Sequence, residues 1–225
     1  MTAVFVTGTG TDVGKTFVTA ALVRHLRDAG KAVDAFKPLT SGFDPANGAS
    51  SDAGVLLAAL GRAAGSDDIA RIAPWRFTAP LSPDLAAKAE GRSVDFTALV
   101  EFSRNAAVGR STIFIEGVGG IMVPLDDTHT VLDWMSALRI PVLLVAGSYL
   151  GTISHTLTAL HVLAQRNLDI AGVVVSESAT PGASLDDTVA TIARFAVPID
   201  VIGLPRVPGG ALPPASVVGA IARLF

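Results

Sequence analysis

The stretch that most constrains this chain is its first. A short apolar β-type run, Ala3-Val4-Phe5-Val6-Thr7, opens into Gly8-Thr9-Gly10-Thr11-Asp12-Val13-Gly14-Lys15-Thr16. A helical stretch from Phe17 to Ala29 follows at once and closes on Gly30. Strand, glycine-rich turn and helix in that order form the context of a phosphate-binding P-loop. Glycines let backbone N–H groups turn inward around phosphate oxygens, and the helix N-terminus adds unpaired donors and a partial positive charge. Lys15 can reach the β- and γ-phosphates of a nucleotide, and Thr16 can offer its hydroxyl to Mg2+. In the usual G-x-x-x-x-G-K-[ST] spacing the first glycine would fall at Thr9; here Gly8 lies one residue earlier. The bland alternative is an ordinary βα turn with a surface lysine, and the flanking strand and helix favour the nucleotide site.

The rest of the chain repeats the alternation. Further apolar runs are Val33–Phe36, Thr112–Ile115, Val142–Val145, Ile170–Val175 and Val201–Ile202. From Thr112 onward they are rich in Val and Ile and read as strands buried on both faces. Asp52–Leu60, Phe96–Ala107, Val131–Leu138, His155–Gln165 and Leu185–Phe195 read as helices, and Pro205–Ser216 reads as a loop before a short last helix. Such alternation predicts an α/β fold, a P-loop NTPase-type parallel sheet with helices on both faces. With 225 residues, half of them hydrophobic, the chain is expected to form a single domain over residues 1–225.

Charge is sparse and nearly balanced, net −3, with no basic stripe, so nucleic acid is not an expected partner. No apolar run reaches about 18 residues, and the tail Val217–Phe225 is too short and weakly charged for a membrane anchor, so no membrane association is expected. The N-terminus lacks a basic leader, so the expected location is cytoplasmic. The absence of cysteine excludes disulfides, thiolate metal sites and a cysteine nucleophile.

Ligands of open parallel sheets sit beyond the carboxyl ends of the strands. Several of those ends carry polar residues or glycine: the P-loop, Lys37-Pro38-Leu39-Thr40-Ser41-Gly42, Glu116-Gly117-Val118-Gly119-Gly120, Ala146-Gly147-Ser148-Tyr149-Leu150-Gly151 and Ser176-Glu177-Ser178. Glu116 ends an apolar strand, where an acid can approach a P-loop metal; the bland alternative is a solvated strand-end acid, and the P-loop upstream favours the metal. Asp52, after Ser50-Ser51, is either a metal ligand or a helix-capping acid. Lys37 precedes Pro38, which holds it extended, and it can stabilise a transferring phosphoryl group or simply snorkel to the surface. The four histidines form no metal-binding spacing, and Trp75 and Trp134 read as packing residues.

Taken together, these motifs resemble those of dethiobiotin synthase. The P-loop run, Lys37-Pro38-Leu39-Thr40-Ser41-Gly42, Ser51-Asp52-Ala53 and Phe77-Thr78-Ala79-Pro80-Leu81-Ser82-Pro83 occur in the family's order. Glu116-Gly117-Val118-Gly119-Gly120 and Leu150-Gly151-Thr152-Ile153-Ser154-His155 complete the set, which spans nearly the whole chain to about Pro205. The resemblance implies an ATP- and Mg2+-dependent ligase of biotin biosynthesis. It would close 7,8-diaminononanoate with CO2 into dethiobiotin through a carbamate and a carbamic-phosphoric anhydride.

It further implies site roles. Lys15, Lys37 and Thr11 are the expected catalytic residues, and Thr16, Asp52 and Glu116 the expected Mg2+ ligands. The nucleotide would be held by Asp12, Val13, Gly14, Lys15, Thr16 and Phe17, by Asp52 and Glu116, and by Gly117, Val118 and Gly119. Ser176, Pro205, Arg206 and Val207 would complete that set. Ser41, Leu150, Gly151 and Ser154 would bind the diamine, the last three from the partner chain of a homodimer with a shared active site.

Two positions depart from the family pattern. Ser176 stands where many members have an adenine-reading Asn, so a wider choice of nucleoside triphosphate is expected. Tyr149 stands where some have Lys. The competing readings are another P-loop amidoligase and a positioning ATPase of the MinD and ParA type. The first type, where it carries a glutaminase domain, uses a cysteine; the second uses an early P-loop lysine. This chain has no cysteine and no lysine before Lys15.

Overall fold

The computed structural model describes residues 2–109, 111–207 and 211–225. In chain order the elements are β1 (Ala3–Gly8), α1 (Lys15–Asp28), β2 (Val33–Phe36), β3 (Leu39–Thr40), a 3-10 segment (Pro45–Ser50), α2 (Asp52–Ala59), α3 (Ser66–Ile72), β4 (Trp75–Arg76) and α4 (Pro83–Ala89). There follow α5 (Phe96–Ala106), β5 (Thr112–Glu116), α6 (Val131–Leu138), β6 (Val142–Ala146), α7 (Thr152–Gln165), β7 (Ile170–Ser176), α8 (Leu185–Ala196), β8 (Val201–Leu204) and α9 (Ala215–Ala222). Six strands form one sheet in the order β2-β5-β1-β6-β7-β8, and every pairing is parallel. A separate short parallel pair joins β3 to β4.

The period-two alternation of each strand explains the layering. On one face Val4, Val6, Phe114, Leu143, Val145 and Val174 meet Val18 and Leu22 of α1, Leu56 of α2, Ile69 of α3 and Ile221 of α9. On the other face Phe5, Ile113, Ile115, Leu144 and Val173 meet Leu99 of α5, Trp134 of α6, Leu163 of α7 and Ile192 of α8. The Trp134 indole packs edge-on against Phe5 at 4.9 Å and donates its N–H to Ser103 Oγ at 3.1 Å, so both the ring and its polar handle are satisfied. Each fully buried Leu, Val or Phe contributes about 1.5–3 kcal/mol relative to exposure. A sheet covered on both faces therefore tolerates few polar residues except at its rim.

Among the described residues, side-chain caps start α2 (Ser51), α5 (Asp95) and α8 (Ser184), and a Thr130–Asp133 capping box starts α6. α1 and α7 start differently. Each begins after a left-handed glycine, Gly14 at φ 92° and Gly151 at φ 98°, with no side-chain cap. Both begin earlier than sequence periodicity indicates, at Lys15 rather than Phe17 and at Thr152 rather than His155. Ser154 therefore lies inside the first turn and is not a cap, while the Thr152 hydroxyl donates to Gly147 O at 2.7 Å. The expected loop Pro205–Ser216 includes residues 208–210, which lie outside the described residues. No helix among the described residues is long and apolar enough to cross a membrane.

Candidate active site

The registers Val6↔Glu116 and Gly8↔Val145 align the strand ends at one rim. Along it, in sheet order, stand Lys37 after β2, Glu116 at the end of β5, the P-loop after β1, the Gly147–Gly151 loop after β6 and Ser176 at the end of β7.

The P-loop turns through two left-handed residues, Asp12 at φ 56° and Gly14 at φ 92°. Gly14 is further constrained because a Cβ there would lie 2.6 Å from Ser176 Oγ. Lys15 is 7% exposed and its ammonium donates to Gly10 O at 2.8 Å, folding back over the loop. Burial, helped by the neighbouring Lys37 charge, pulls the Lys15 amine down to about 8.

Lys37 lies at the centre of a buried polar cluster. Its backbone N–H donates to Ile72 O at 3.0 Å, and Pro38 O accepts from Trp75 N–H at 3.0 Å, so the small β3–β4 pair fixes the segment. The ammonium, almost wholly buried, donates to Glu116 Oε1 and Gly117 O, each at 2.8 Å, and pairs with Asp52 Oδ2 at 3.0 Å. Those contacts use all three ammonium protons. Burial opposes its charge, but Glu116 and Asp52 more than offset this and hold the amine above its ordinary value. Burial likewise opposes ionisation of Asp52, and Lys37 more than offsets it, leaving the carboxyl below its ordinary value. Thr16 Oγ1 donates to Glu116 Oε1 at 2.6 Å. Glu116 Oε2 is buried and, among the described residues, has no hydrogen-bond partner.

Local sequence delivers Asp52 to this cluster. Ser51 Oγ accepts from Gly54 N–H at 3.2 Å and donates to Gly48 O at 2.6 Å. A Cβ at Gly54 would lie 2.4 Å from the carbonyl oxygens of Gly48 and Ala49, so only glycine lets the 3-10 segment fold this closely onto α2. Asp52 is thereby the first helical residue, in the first turn rather than the cap position.

Two adjoining cavities flank the P-loop. One of about 310 Å3 is lined by Thr11, Lys15, Thr16, Lys37, Asp52 and Gly119. The other, about 420 Å3, is lined by Ser176, Glu177, Ser178, Arg206 and Val207. Asp12, Gly14 and Phe17 belong to both. Sizes of this order suit a small-molecule site. Pro205 does not line the second cavity among the described residues; it leads into Arg206, whose N–H donates to Glu177 Oε2 at 2.9 Å. Sequence reasoning singled out Ser176 at this wall but not Glu177 or Ser178, which the same polar strand end supplies.

Gly117 is a contact of Lys37, Gly119 reaches the first cavity at φ 58°, and Val118, between them, is half-buried. Ser41 follows β3 and, among the described residues, lines neither cavity. Leu150, 89% exposed, with Gly151 and Ser154 also exposed, stands outside both. Thr11 lines both the first cavity and a more apolar groove of about 520 Å3 formed with Ile121, Met122, His155 and Ala159.

A family model described as an AAA domain matches residues 2–220. An ATP-dependent dethiobiotin synthetase BioD of Acidiphilium cryptum (strain JF-5) is 51% identical over 178 residues, covering 78% of this chain and 80% of the relative. The protein of the same name from Caulobacter sp. (strain K31) is 50% identical over 197 residues, covering 87% and 84%. Among solved structures, the Pyrococcus furiosus cell division ATPase MinD superposes with a TM-score of 0.56 at 15% identity, covering 100% of this chain and 98% of that one. Cyanthece apo McdA gives 0.53 at 11%, covering 100% and 91%. At such identities the structural likeness establishes a P-loop NTPase fold, and the sequence relatives establish the family. This chain belongs to the family of ATP-dependent dethiobiotin synthetases.

Proposed function

We propose that this chain uses ATP to carboxylate and cyclise 7,8-diaminononanoate, giving dethiobiotin, ADP and phosphate. One amine takes up CO2 and releases a proton, forming a carbamate. A carbamate oxygen attacks the γ-phosphorus and ADP leaves, giving a carbamic-phosphoric anhydride. The second amine then attacks the anhydride carbonyl, and phosphate leaves as the ring closes. The observation that carries this reading is the buried Lys37 ammonium beside the P-loop lysine, held between Glu116 and Asp52.

Phosphoryl transfer needs positioning and charge neutralisation more than covalent help. Lys15 and Lys37, both buried, offset phosphate and carbamate charge, and buried contacts of this kind are stronger than those in bulk water. Thr11, at the junction of the phosphate-side cavity and the apolar groove, orients the carbamate, and Ser41 contacts the diamine. The orphaned Glu116 Oε2, with Thr16 Oγ1 and Asp52 nearby, makes an oxygen donor set of the kind a hard divalent cation prefers. These residues would hold Mg2+, which when bound neutralises triphosphate charge. The second cavity takes the base, against Ser176, Arg206 and Val207.

The chain acts as one domain in a cytoplasmic homodimer. Exposed Leu150 and Met122, the latter on the apolar groove beside α7, support a self-association face there. Through it the partner's Leu150–Ser154 segment holds the substrate carboxylate at the α7 N-terminus.

The test is product analysis with ATP, Mg2+, bicarbonate and the diamine. Dethiobiotin and ADP should form in equal amounts, with little ATP turnover when either the diamine or bicarbonate is withheld. ATP hydrolysis indifferent to the diamine would overturn the reading in favour of a positioning ATPase.

A further inference from the structure

The loops after β6 and β7 are joined by a reciprocal pair of hydrogen bonds. Ser148 N–H donates to Ser178 Oγ at 3.0 Å, and Ser178 N–H donates to Ser148 Oγ at 2.9 Å. A third bond runs from Gly182 N–H to Ser148 O at 2.8 Å. Ser148 is 1% exposed, so water does not compete for these partners. The packing around them is close. A Cβ at Gly147 would lie 2.8 Å from Ser178 Oγ, and one at Gly182 would lie 2.6 Å from Leu150 N.

The two ends of this clamp face different places. Ser178 lines the 420 Å3 cavity beside the P-loop, next to Ser176 and Glu177. Ser148 leads through Tyr149 and Leu150 to Gly151, the left-handed residue that opens α7. Thr152 ties back to the same loop, through its N–H to Tyr149 O and its hydroxyl to Gly147 O. A shift of the cavity wall therefore cannot leave the start of α7 unmoved unless the clamp breaks.

We propose that Ser148 and Ser178 are positioning residues that couple nucleotide binding in the second cavity to the order of the 147–152 loop. The proposal rests on the reading of that cavity as a nucleotide site, and not on the role assigned to Leu150–Ser154. Coupling between two sites needs a physical element that both sites bias, and typical couplings alter an equilibrium by about 5–150-fold.

The experiment is residue-resolved amide hydrogen exchange of the full chain with and without the non-hydrolysable analogue AMP-PNP plus Mg2+. In the wild type the analogue should slow exchange at the P-loop amides. It should also slow exchange at Ser148, Thr152 and Gly182 by at least about fivefold. Ser148→Ala removes the acceptor for Ser178 N–H without touching the cavity; it should keep the P-loop effect and lose the effect at Thr152. Gly182→Ala, at an exposed position with both serines intact, should give the same loss by forcing the loops apart, and Ser178→Thr, which keeps the oxygen, should retain the effect at Thr152 relative to that at the P-loop.

Transmission unchanged in Ser148→Ala and Gly182→Ala, or absent from the wild type while the P-loop responds, would overturn the coupling and leave the nucleotide site standing. No response at the P-loop would overturn both.

Discussion

Lys15 and Lys37 lie at the same rim, 7% and 2% exposed, yet their surroundings move them in opposite directions. Lys37 has two carboxylates in contact to offset its burial; among the described residues Lys15 contacts a carbonyl instead, with a like charge nearby and the carboxylates at longer range. With its free-state value at about 8, Lys15 is partly neutral in mild alkali. Bound phosphates favour the ammonium, so nucleotide binding should draw in a proton. Titration calorimetry at pH 8, in buffers of different ionisation enthalpy, should report uptake of about half a proton per site, falling toward zero near pH 6.5. Uptake that persists undiminished in Lys15→Met would assign the proton elsewhere. Glu116 gives a second expectation. Glu116→Gln keeps an oxygen that accepts from Lys37 but removes the buried carboxylate charge, leaving Asp52 as the counter-charge in contact with the ammonium. Removing one partner of a buried pair costs about 3 kcal/mol or more, which denaturant unfolding should register as a lower midpoint. A variant as stable as wild type would mean that Asp52 alone neutralises Lys37.

At the scale of elements, α1 packs its first turn against the end of β7, and the contact is made through the absence of a side chain. Gly14→Ala would strain a residue at φ 92° and push a methyl into Ser176 Oγ. Such strain costs on the order of 1–3 kcal/mol, and the P-loop must deform to relieve it. Nucleotide affinity should fall at least tenfold, measured by calorimetry; wild-type affinity would show that the loop accommodates the methyl. Ser176 makes a complementary prediction: with one hydroxyl it cannot form a bidentate amide pair with adenine. The ratio of kcat/KM for ATP over GTP or CTP should therefore be modest and should rise in Ser176→Asn, and a wild type that already rejects GTP and CTP by several orders of magnitude would refute this. The central strands β1, β5, β6 and β7 were legible because they are buried on both faces, and the P-loop and Glu116 were legible because they sit at strand ends. The starts of α1 and α7 were not, because a left-handed glycine opens a helix without the Ser, Thr, Asp or Asn that marks most N-termini. The short α3 and α4 and the β3–β4 pair carry too few residues to show a period. The Lys37–Glu116 pair spans 79 residues, so only the register of β2 on β5 brings it together.

At the scale of the whole molecule, the residues proposed to act on or bind the diamine are divided. The catalytic candidates Thr11 and Lys37 stand at the phosphate-side cavity, whereas the diamine-binding candidates Leu150, Gly151 and Ser154 stand outside it on an exposed edge. In the proposed homodimer each site takes Lys15 from one chain and Ser154 from the other. Ser154→Asp places a carboxylate in the first turn of α7, where it repels the substrate carboxylate, so the KM for diamine should rise while ATP binding is spared. Lys15→Ala removes a cation from the transition state and should cost about a hundredfold in turnover. Each variant alone is then deficient at both sites of its dimer. In a mixed dimer one composite site carries both lesions and the other carries neither. Mixing the two variants under conditions of subunit exchange should therefore restore activity, approaching about a quarter of the wild-type level at equal amounts, since about half of the dimers are mixed and half of their sites are intact. Exchange can be followed independently with differently labelled chains. Proven exchange without recovery would place Lys15 and Ser154 of each site on one chain, and the shared-site reading would fall while the P-loop chemistry stood.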